Sequence, residues 1–546
     1  MNHRNRVLRA AALCVAALAV RGSAAPATST LSPAVANPAG LEFTLKLPPG
    51  KTSFMQGETI PLSLSFVNSG PQTLGLNEFY RSPPTPLPFA SFEVEPKEGT
   101  SNPLGDLPVP TFISIAGAIP LPVRLAAIPT QEPFSLNEYV RFDRPGTYTI
   151  RAVTSRVFIR PEATTPPRAS LFPSGKPFIS TSEPISIQIV PADPKWQMEQ
   201  VQAWRAFWAK QKADFVRFDG KTALDTVRPA NDLRFLNTRA AAQAMIDHLG
   251  QDAFLRNPGA EDYSWRSGFI GFSERAWLVS AMKDARARPD YPVTQGFMDI
   301  LATLETLQNV APGAKARLTG FGIDTGVANR ANWQQINEEL KMKTGRARAV
   351  TLFSLLETAW NSPMGQAPEI AARLPRLIAQ VPDVFDDLPP SAQEYFIDDQ
   401  PWSKQWARVK SPRFAAPLRR LWDATHVEPN GLYRYFPNAI LHRLVEVSPS
   451  QGRALILKEM AAPHPRVSFE VLSLLPDKRL PQLQNLWLSH LNQDGEDQDV
   501  AALLIGRYAT DAIKAHVKAQ YVQLQRNKML SSSMNQGLSR YLARVK

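Results

Sequence analysis

The hydrophobic repeat of this chain changes period at Pro191. From Leu41 onward the apolar residues alternate: LEFTLKL does so, and Glu58 to Phe66 places Ile60, Leu62, Leu64 and Phe66 on one face. From Lys195 onward Trp, Ala, Leu and Arg dominate, and apolar residues recur every three to four positions. Period two suits a strand with one buried face, and a period near 3.6 suits an amphipathic helix. One segment cannot serve both, so the 546 residues are expected to form an α+β multidomain protein. An antiparallel β-sandwich is expected over 41–191. An all-α body is expected over 195–546, divisible into 195–345 and 346–546.

Within the first segment, strands are expected at Leu41–Leu47, Glu58–Phe66, Ala90–Glu95, Thr111–Ile119, Ser135–Phe142, Thr147–Val157 and Pro184–Val190, with a turn at Asn68-Ser69-Gly70. Dense prolines imply short strands and many corners. RSPPTPLPF (81–89) reads as a stiff crossover or a polyproline ligand. The stretch RFDRPGTYTIRAVTSRV (141–157) carries Asp143, Gly146 and Tyr148 just before an alternating run. It resembles the tyrosine corner of immunoglobulin-like sandwiches, in which a phenol bonds back to upstream backbone. That resemblance gives Tyr148 a structural role, with Gly146 supplying backbone freedom. Ile150 stands where antibody domains carry cysteine, so the implied core is aliphatic.

The N-terminus carries an export pattern. Arg4, Arg6 and Arg9 precede an 11-residue apolar run, Ala10 to Val20, closed by Arg21 and small residues. This reads as a signal peptide over 1–24, too short to span a bilayer, followed by an uncharged flexible linker over 25–40. Cys14 is the only cysteine and falls inside the signal. A mature chain without it has no disulfide, thiol nucleophile or Cys-bound metal. The expected location is exported, periplasmic or extracellular.

Charge is uneven. Residues 40–192 hold 12 basic and 12 acidic side chains, whereas residues 193–546 hold 45 basic and 37 acidic. Outside the cytoplasm such an excess favours a protein or acidic glycan over nucleic acid. Arg408, Arg413, Arg419 and Arg420, beside Trp402, Trp406 and Trp422, form the candidate acidic-partner contact. The competing expectation is that these arginines pair with Asp398, Asp399 and Asp423.

The second segment opens with Trp196, Trp204, Phe207, Trp208, Phe215 and Phe218 along one expected helix, a docking seam or a glycan platform. Ser391-x-x-Glu394 and Ser448-x-x-Gln451 match capping boxes, and Ser411-Pro412 and Leu480-Pro481 mark further starts. LNTRAAAQAMIDHLG, GFSERAWLVSAM and YPVTQGFMDILATLETL are each expected to open at a Thr or Ser cap. About eight helices after Ser411 give roughly 35 residues per helix pair, the range of HEAT and TPR arrays. SLNEYVRFDRPGTYTIRAVTSRV, LRFLNTRAAAQAMIDHLG and HRLVEVSPSQGRALILKEMAAPHPRVSFEVLSLLP together resemble exported bacterial proteins that pair an N-terminal Ig-like domain with HEAT-like helical repeats. The resemblance implies that architecture and carries no activity or site residues.

Chemistry-bearing motifs are fragmentary. Ser280-x-x-Lys283 and Lys343-Thr344-Gly345 imitate two of three penicillin-binding signatures, and Gly271-Phe272-Ser273 imitates half a nucleophile elbow. His442 and Glu446 share a helix face, NQDGEDQD (492–499) could hold calcium, and Asp386-Asp387 and Asp398-Asp399 are adjacent carboxylates. None has the full spacing of its family, so no catalytic, metal or cofactor residue is assigned and no cofactor is expected. The function expected is an exported, non-enzymatic binding or scaffolding protein using a helical-repeat surface. The alternatives are an envelope hydrolase whose site assembles only in three dimensions, and a glycan-binding protein.

Overall fold

The computed structural model describes residues 31, 34–78, 90–102, 121–159, 177–214, 233–249, 268–308, 326–361, 363–397, 409–425, 435–460, 462, 466–476, 479–492 and 496–545. Outside them lie the expected signal peptide with Cys14, the stretch 81–89, the strand at Thr111–Ile119, Phe215, Phe218, Asp398, Asp399, Trp402, Trp406 and Arg408. The chain divides into two compact units: Met1–Trp204 with Arg228–Asn237, and Arg205–Val227 with Thr238–Lys546. The division falls inside the Pro194–Asp214 helix. Sheets occupy the first unit and helices the second, so the class is α+β.

In the sheet unit, β1 (Leu41–Lys46), β2 (Ser53–Met55), β3 (Pro61–Asn68), β4 (Leu74–Glu78), β5 (Ala90–Glu95) and β6 (Thr100–Ser101) are followed by β7 (Leu121–Arg124) and β8 (Thr130–Ser135). Then come β9 (Arg141–Phe142), β10 (Gly146–Ile159), β11 (Pro177–Thr181) and β12 (Ile185–Val190). One sheet runs β1-β3-β8, a second β2-β12-β10-β4-β7 with β5 and β11 also on β10, and β6 pairs β9. Strand β10 is the spine. Its first part pairs β12 and β5, and after an irregularity between Thr154 and Val157 it pairs β11 and β4. Alternation works as the sequence implies: Ile60, Leu62, Leu64 and Phe66 are all buried, in one core with Leu41, Phe43, Tyr148, Ile150 and Ile187.

Three expectations need correction here. The segment Ser135–Phe142 is not one strand. A 3-10 turn, Leu136–Glu138, interrupts it, because the Asn137 side chain accepts from Ile60 N (2.7 Å) and donates to Glu58 O (2.9 Å) in place of ladder bonds. The end of the linker, 34–40, is anchored: Asn37 exchanges two 2.9 Å bonds with the Thr181 backbone. Gly146 does not supply backbone freedom. Its φ is not positive, and an added Cβ would meet the Tyr148 ring at 3.6 Å, an ordinary contact. The left-handed residue of this corner is Gly99, φ +81°, against the Arg144 side chain. Tyr148 itself is buried and its hydroxyl donates to Arg144 O at 2.8 Å; burial first, and the Asp143 charge second, raise the phenol pKa. Asp143 accepts from Arg141 Nε (2.7 Å) and Ser101 Oγ (2.8 Å).

The helical unit follows its sequence caps in most places. Thr238 accepts from Ala241 N (3.2 Å) and Thr294 from Phe297 N (3.2 Å), opening Arg239–Leu249 and Gln295–Leu307. Pro449 opens Pro449–Met460 as expected. Pro390–Ile397 starts one residue before Ser391. Arg275–Ala287 has Glu274, not Ser273, at its N-cap position. RVSFEVLSLL forms only the 3-10 segment Phe469–Leu474. Buried rings find backbone partners for their polar atoms: Trp333 Nε1 donates to Leu355 O (2.9 Å), and Tyr508 Oη to Leu475 O (2.8 Å). The helices Glu496–Tyr508 and Ser532–Arg544 touch backbone to backbone, since a Cβ on Gly537 would lie 2.3 Å from Ala502 O. No helix among the described residues is long and apolar enough to cross a membrane.

Candidate functional site

Ser411 caps the 3-10 segment Pro412–Phe414, accepting from Arg413 N at 3.3 Å, and the chain continues into the helix Ala415–Ala424. That helix buries Leu418 and Trp422, which leaves Arg419 and Arg420 outside. Each described arginine of the expected patch meets a carboxylate. Arg419 Nε donates to Asp423 at 3.0 Å, as the pairing expectation had it. Arg420 Nε donates to Asp386 Oδ2 at 2.8 Å, and Arg413 pairs with Asp383. The hydrogen bond from Arg419 holds the Asp423 carboxyl below its ordinary range, helped by the charges of Arg419, Arg466 and Lys458. All three pairs are exposed, where an ion pair contributes only about 0–1 kcal/mol. The described surface therefore alternates in sign rather than presenting bare cations.

Other cations of the helical unit turn inward, onto backbone carbonyls, most of them at helix ends. Arg443 donates to Phe396 O (3.0 Å) and Val409 O (2.9 Å), and Lys343 to Arg288 O (2.8 Å). Arg466 reaches Trp422 O and Thr425 O and lies 4.2 Å above the Trp422 ring. Arg544 donates to Gly506 O, Arg507 O and Ala509 O at the end of Glu496–Tyr508. The last four carbonyls of a helix lack internal partners and carry the negative end of its dipole, so a cation suits them. These four cations thus find acceptors inside the fold, two of them, Arg443 and Arg466, with a carboxylate as well, Glu446 and Glu459. Sequence reasoning missed this, because the acceptors are backbone atoms.

A second constellation was also missed. On Gly345–Asn361, Phe353, Glu357 and Trp360 recur at helical spacing and share a stripe. Tyr395 and Phe396, on Pro390–Ile397, pack against it: Phe353 to Tyr395 at 5.3 Å, Phe353 to Phe396 at 6.0 Å, and Trp360 to Phe396 at 6.3 Å. The ring chain continues through Phe385 to Phe414, at 6.4 and 4.8 Å, and thus to the elements carrying the Arg–Asp pairs. Burial alone pushes the Glu357 carboxyl up to about 7, and burial followed by Glu357 raises the Tyr395 phenol. The available signal was a lone carboxylate in the apolar run TLFSLLETAW (351–360).

The fragmentary motifs are absorbed elsewhere. Lys343 is buried on carbonyls, and Lys283 pairs with Glu305 at 2.8 Å. Glu446 receives the Arg443 guanidinium, and Asp499 accepts from Ser531, the cap of Ser532–Arg544. Trp204 is buried with Val201 on the Pro194–Asp214 helix. No group of three or more His, Cys, Asp or Glu positioned for a metal occurs among the described residues.

No protein-family model matches the chain, and no curated protein does. Solved structures that align with it include native Escherichia coli alpha-2-macroglobulin at 11% identity, over 93% of this chain and 26% of that one, TM-score 0.15. Salmonella alpha-2-macroglobulin reacted with methylamine aligns at 12% identity, over 92% and 27%, TM-score 0.15. Trypsin-activated Escherichia coli alpha-2-macroglobulin aligns at 10% identity, over 93% and 27%, TM-score 0.14. The chain spans about a quarter of the length of these structures. Superpositions this poor carry no argument about fold or function.

Proposed function

We propose that this is an exported, periplasmic or extracellular, non-enzymatic binding or scaffolding protein. In this reading the sheet unit is an Ig-like sandwich and the helical unit a HEAT-like, solenoid-type array, which offers an extended surface to a protein partner. The observation that carries it is the exposed row Arg413–Asp383, Arg420–Asp386 and Arg419–Asp423. A polyanionic glycan would meet three aspartates along with the arginines, whereas a protein surface bearing both charges can exchange pairs with all of them. The test is cross-linking of the whole protein in envelope extract, wild type against Arg413→Ala/Arg419→Ala/Arg420→Ala. Loss of one defined adduct in the triple variant, with only weak and unchanged retention on a heparin matrix, is expected. An identical adduct pattern in both proteins would overturn the reading.

One observation favours the alternative of a hydrolase or glycan binder. The Glu357 carboxyl, raised to about 7 beside Tyr395 and Trp360, sits in the range where a carboxyl can give and take a proton near neutral pH.

A further inference from the structure

Glu357 has no part in partner binding as just described. It lies between Phe353 and Trp360 on one helix stripe, faced by Tyr395 and Phe396 from the Pro390–Ile397 helix. Phe353 and Phe396 are buried and form a floor, while Glu357, Trp360 and Tyr395 are each partly exposed and reachable from solvent. The Glu357 carboxyl makes no hydrogen bond or ion pair among the described residues. We propose that Glu357, Trp360 and Tyr395 form a binding site for an alkylammonium ion, with the carboxylate as counter-charge and the rings as packing faces.

The chemistry follows from what the site lacks and what it offers. A carboxylate held out of water without a cation is under-compensated, and its raised pKa, caused by burial alone, reports that deficit. Trp and Tyr rings attract a cation through their negative faces, most strongly where water is partly excluded. An ammonium group satisfies both, while an anion would be repelled. Tyr395 is the ionisable neighbour coupled to Glu357, and its own pKa is raised, so it stays protonated while Glu357 titrates.

Calorimetric titration of the whole protein with tetramethylammonium chloride, against sodium chloride at equal ionic strength, tests this. Saturable binding is expected at pH 8. It should weaken about thirtyfold at pH 5.5, where a carboxyl titrating near 7 is mostly protonated. Glu357→Gln should lose about tenfold or more at pH 8 and show no pH dependence, and Trp360→Ala should weaken binding severalfold. A parallel titration with butylammonium distinguishes a primary amine from a quaternary one as the preferred form. Arg413→Ala/Arg419→Ala/Arg420→Ala keeps the carboxylate and rings and should bind like wild type, so this site and the partner-binding reading can fail separately. A thermal melt confirms that each variant is folded. No saturable binding of either cation at pH 8, or equal binding by folded Glu357→Gln, overturns the proposal.

Discussion

Arg156 in the sheet unit and Arg443 in the helical unit are both almost wholly buried guanidiniums, and they are neutralised differently. Arg156, on β10, points at Glu132 on β8, with Nη1 to Oε1 at 2.9 Å and a second bond alongside. It links the two sheets through a carboxylate. Arg443 ends mainly on the carbonyls of Phe396 and Val409, and touches Glu446 where that side chain reaches solvent. In a sheet the ladder consumes the carbonyls, so a buried cation needs a carboxylate. A helical array ends a helix every dozen or so residues, and each end leaves carbonyls free. Helix-end carbonyls therefore give the helical unit a way to hold cations that the ladder of the sheet unit does not offer.

The largest test of this contrast is Arg156→Met. Removing the guanidinium from Glu132, which is buried, should cost about 3–5 kcal/mol in urea denaturation, and Arg156→Met/Glu132→Leu should recover most of it. Arg443→Met strands no buried carboxylate, so a smaller loss of about 1.5–3 kcal/mol is expected from its charged hydrogen bonds to carbonyls.

Glu357 sharpens the comparison from the other side, as a half-buried carboxyl in a basic unit. Its folded pKa of about 7 exceeds the ordinary 4.5, so the folded state keeps a proton the unfolded state releases. The contribution of Glu357 to stability is thus greatest below pH 4.5 and falls as pH rises to 7, by about 3 kcal/mol in total. Glu357→Gln should match wild type at pH 4.5 and be more stable by about 1–3 kcal/mol at pH 8, measured by paired denaturation curves. Tyr148→Phe, which loses one bond to Arg144 O, should cost about 1 kcal/mol in the same assay. Gly146→Ala should change stability by less than about 0.5 kcal/mol, because its backbone and surroundings accept a methyl group.

The period change at Pro191 made the sheet and helix segments legible, as did alternation in β1, β3, β5, β10 and β12. The strands β2, β4, β7 and β11 are too short for alternation to register, and their pairing, β2 on β12, β4 and β11 on β10, and β7 on β4, is set by tertiary packing. Asn137 broke an apparent strand through side-chain bonds that no periodicity encodes. At the candidate site, the arginines were legible as a cluster, and so was Asp423 at i+4 from Arg419. Asp383 and Asp386 lie about 30 residues away in sequence, and only the fold brings them to Arg413 and Arg420. Glu357 was hidden because Tyr395 and Phe396 come from another helix.

The most direct measurement removes the carboxylates instead of the cations. Urea denaturation of Glu132→Gln should show a loss of several kcal/mol, because the guanidinium that Glu132 receives from Arg156 is almost wholly buried. Glu446→Gln should lose less than about 1 kcal/mol, because Arg443 retains its bonds to the Phe396 and Val409 carbonyls. Equal losses for the two variants, or a larger one for Glu446→Gln, would contradict the account.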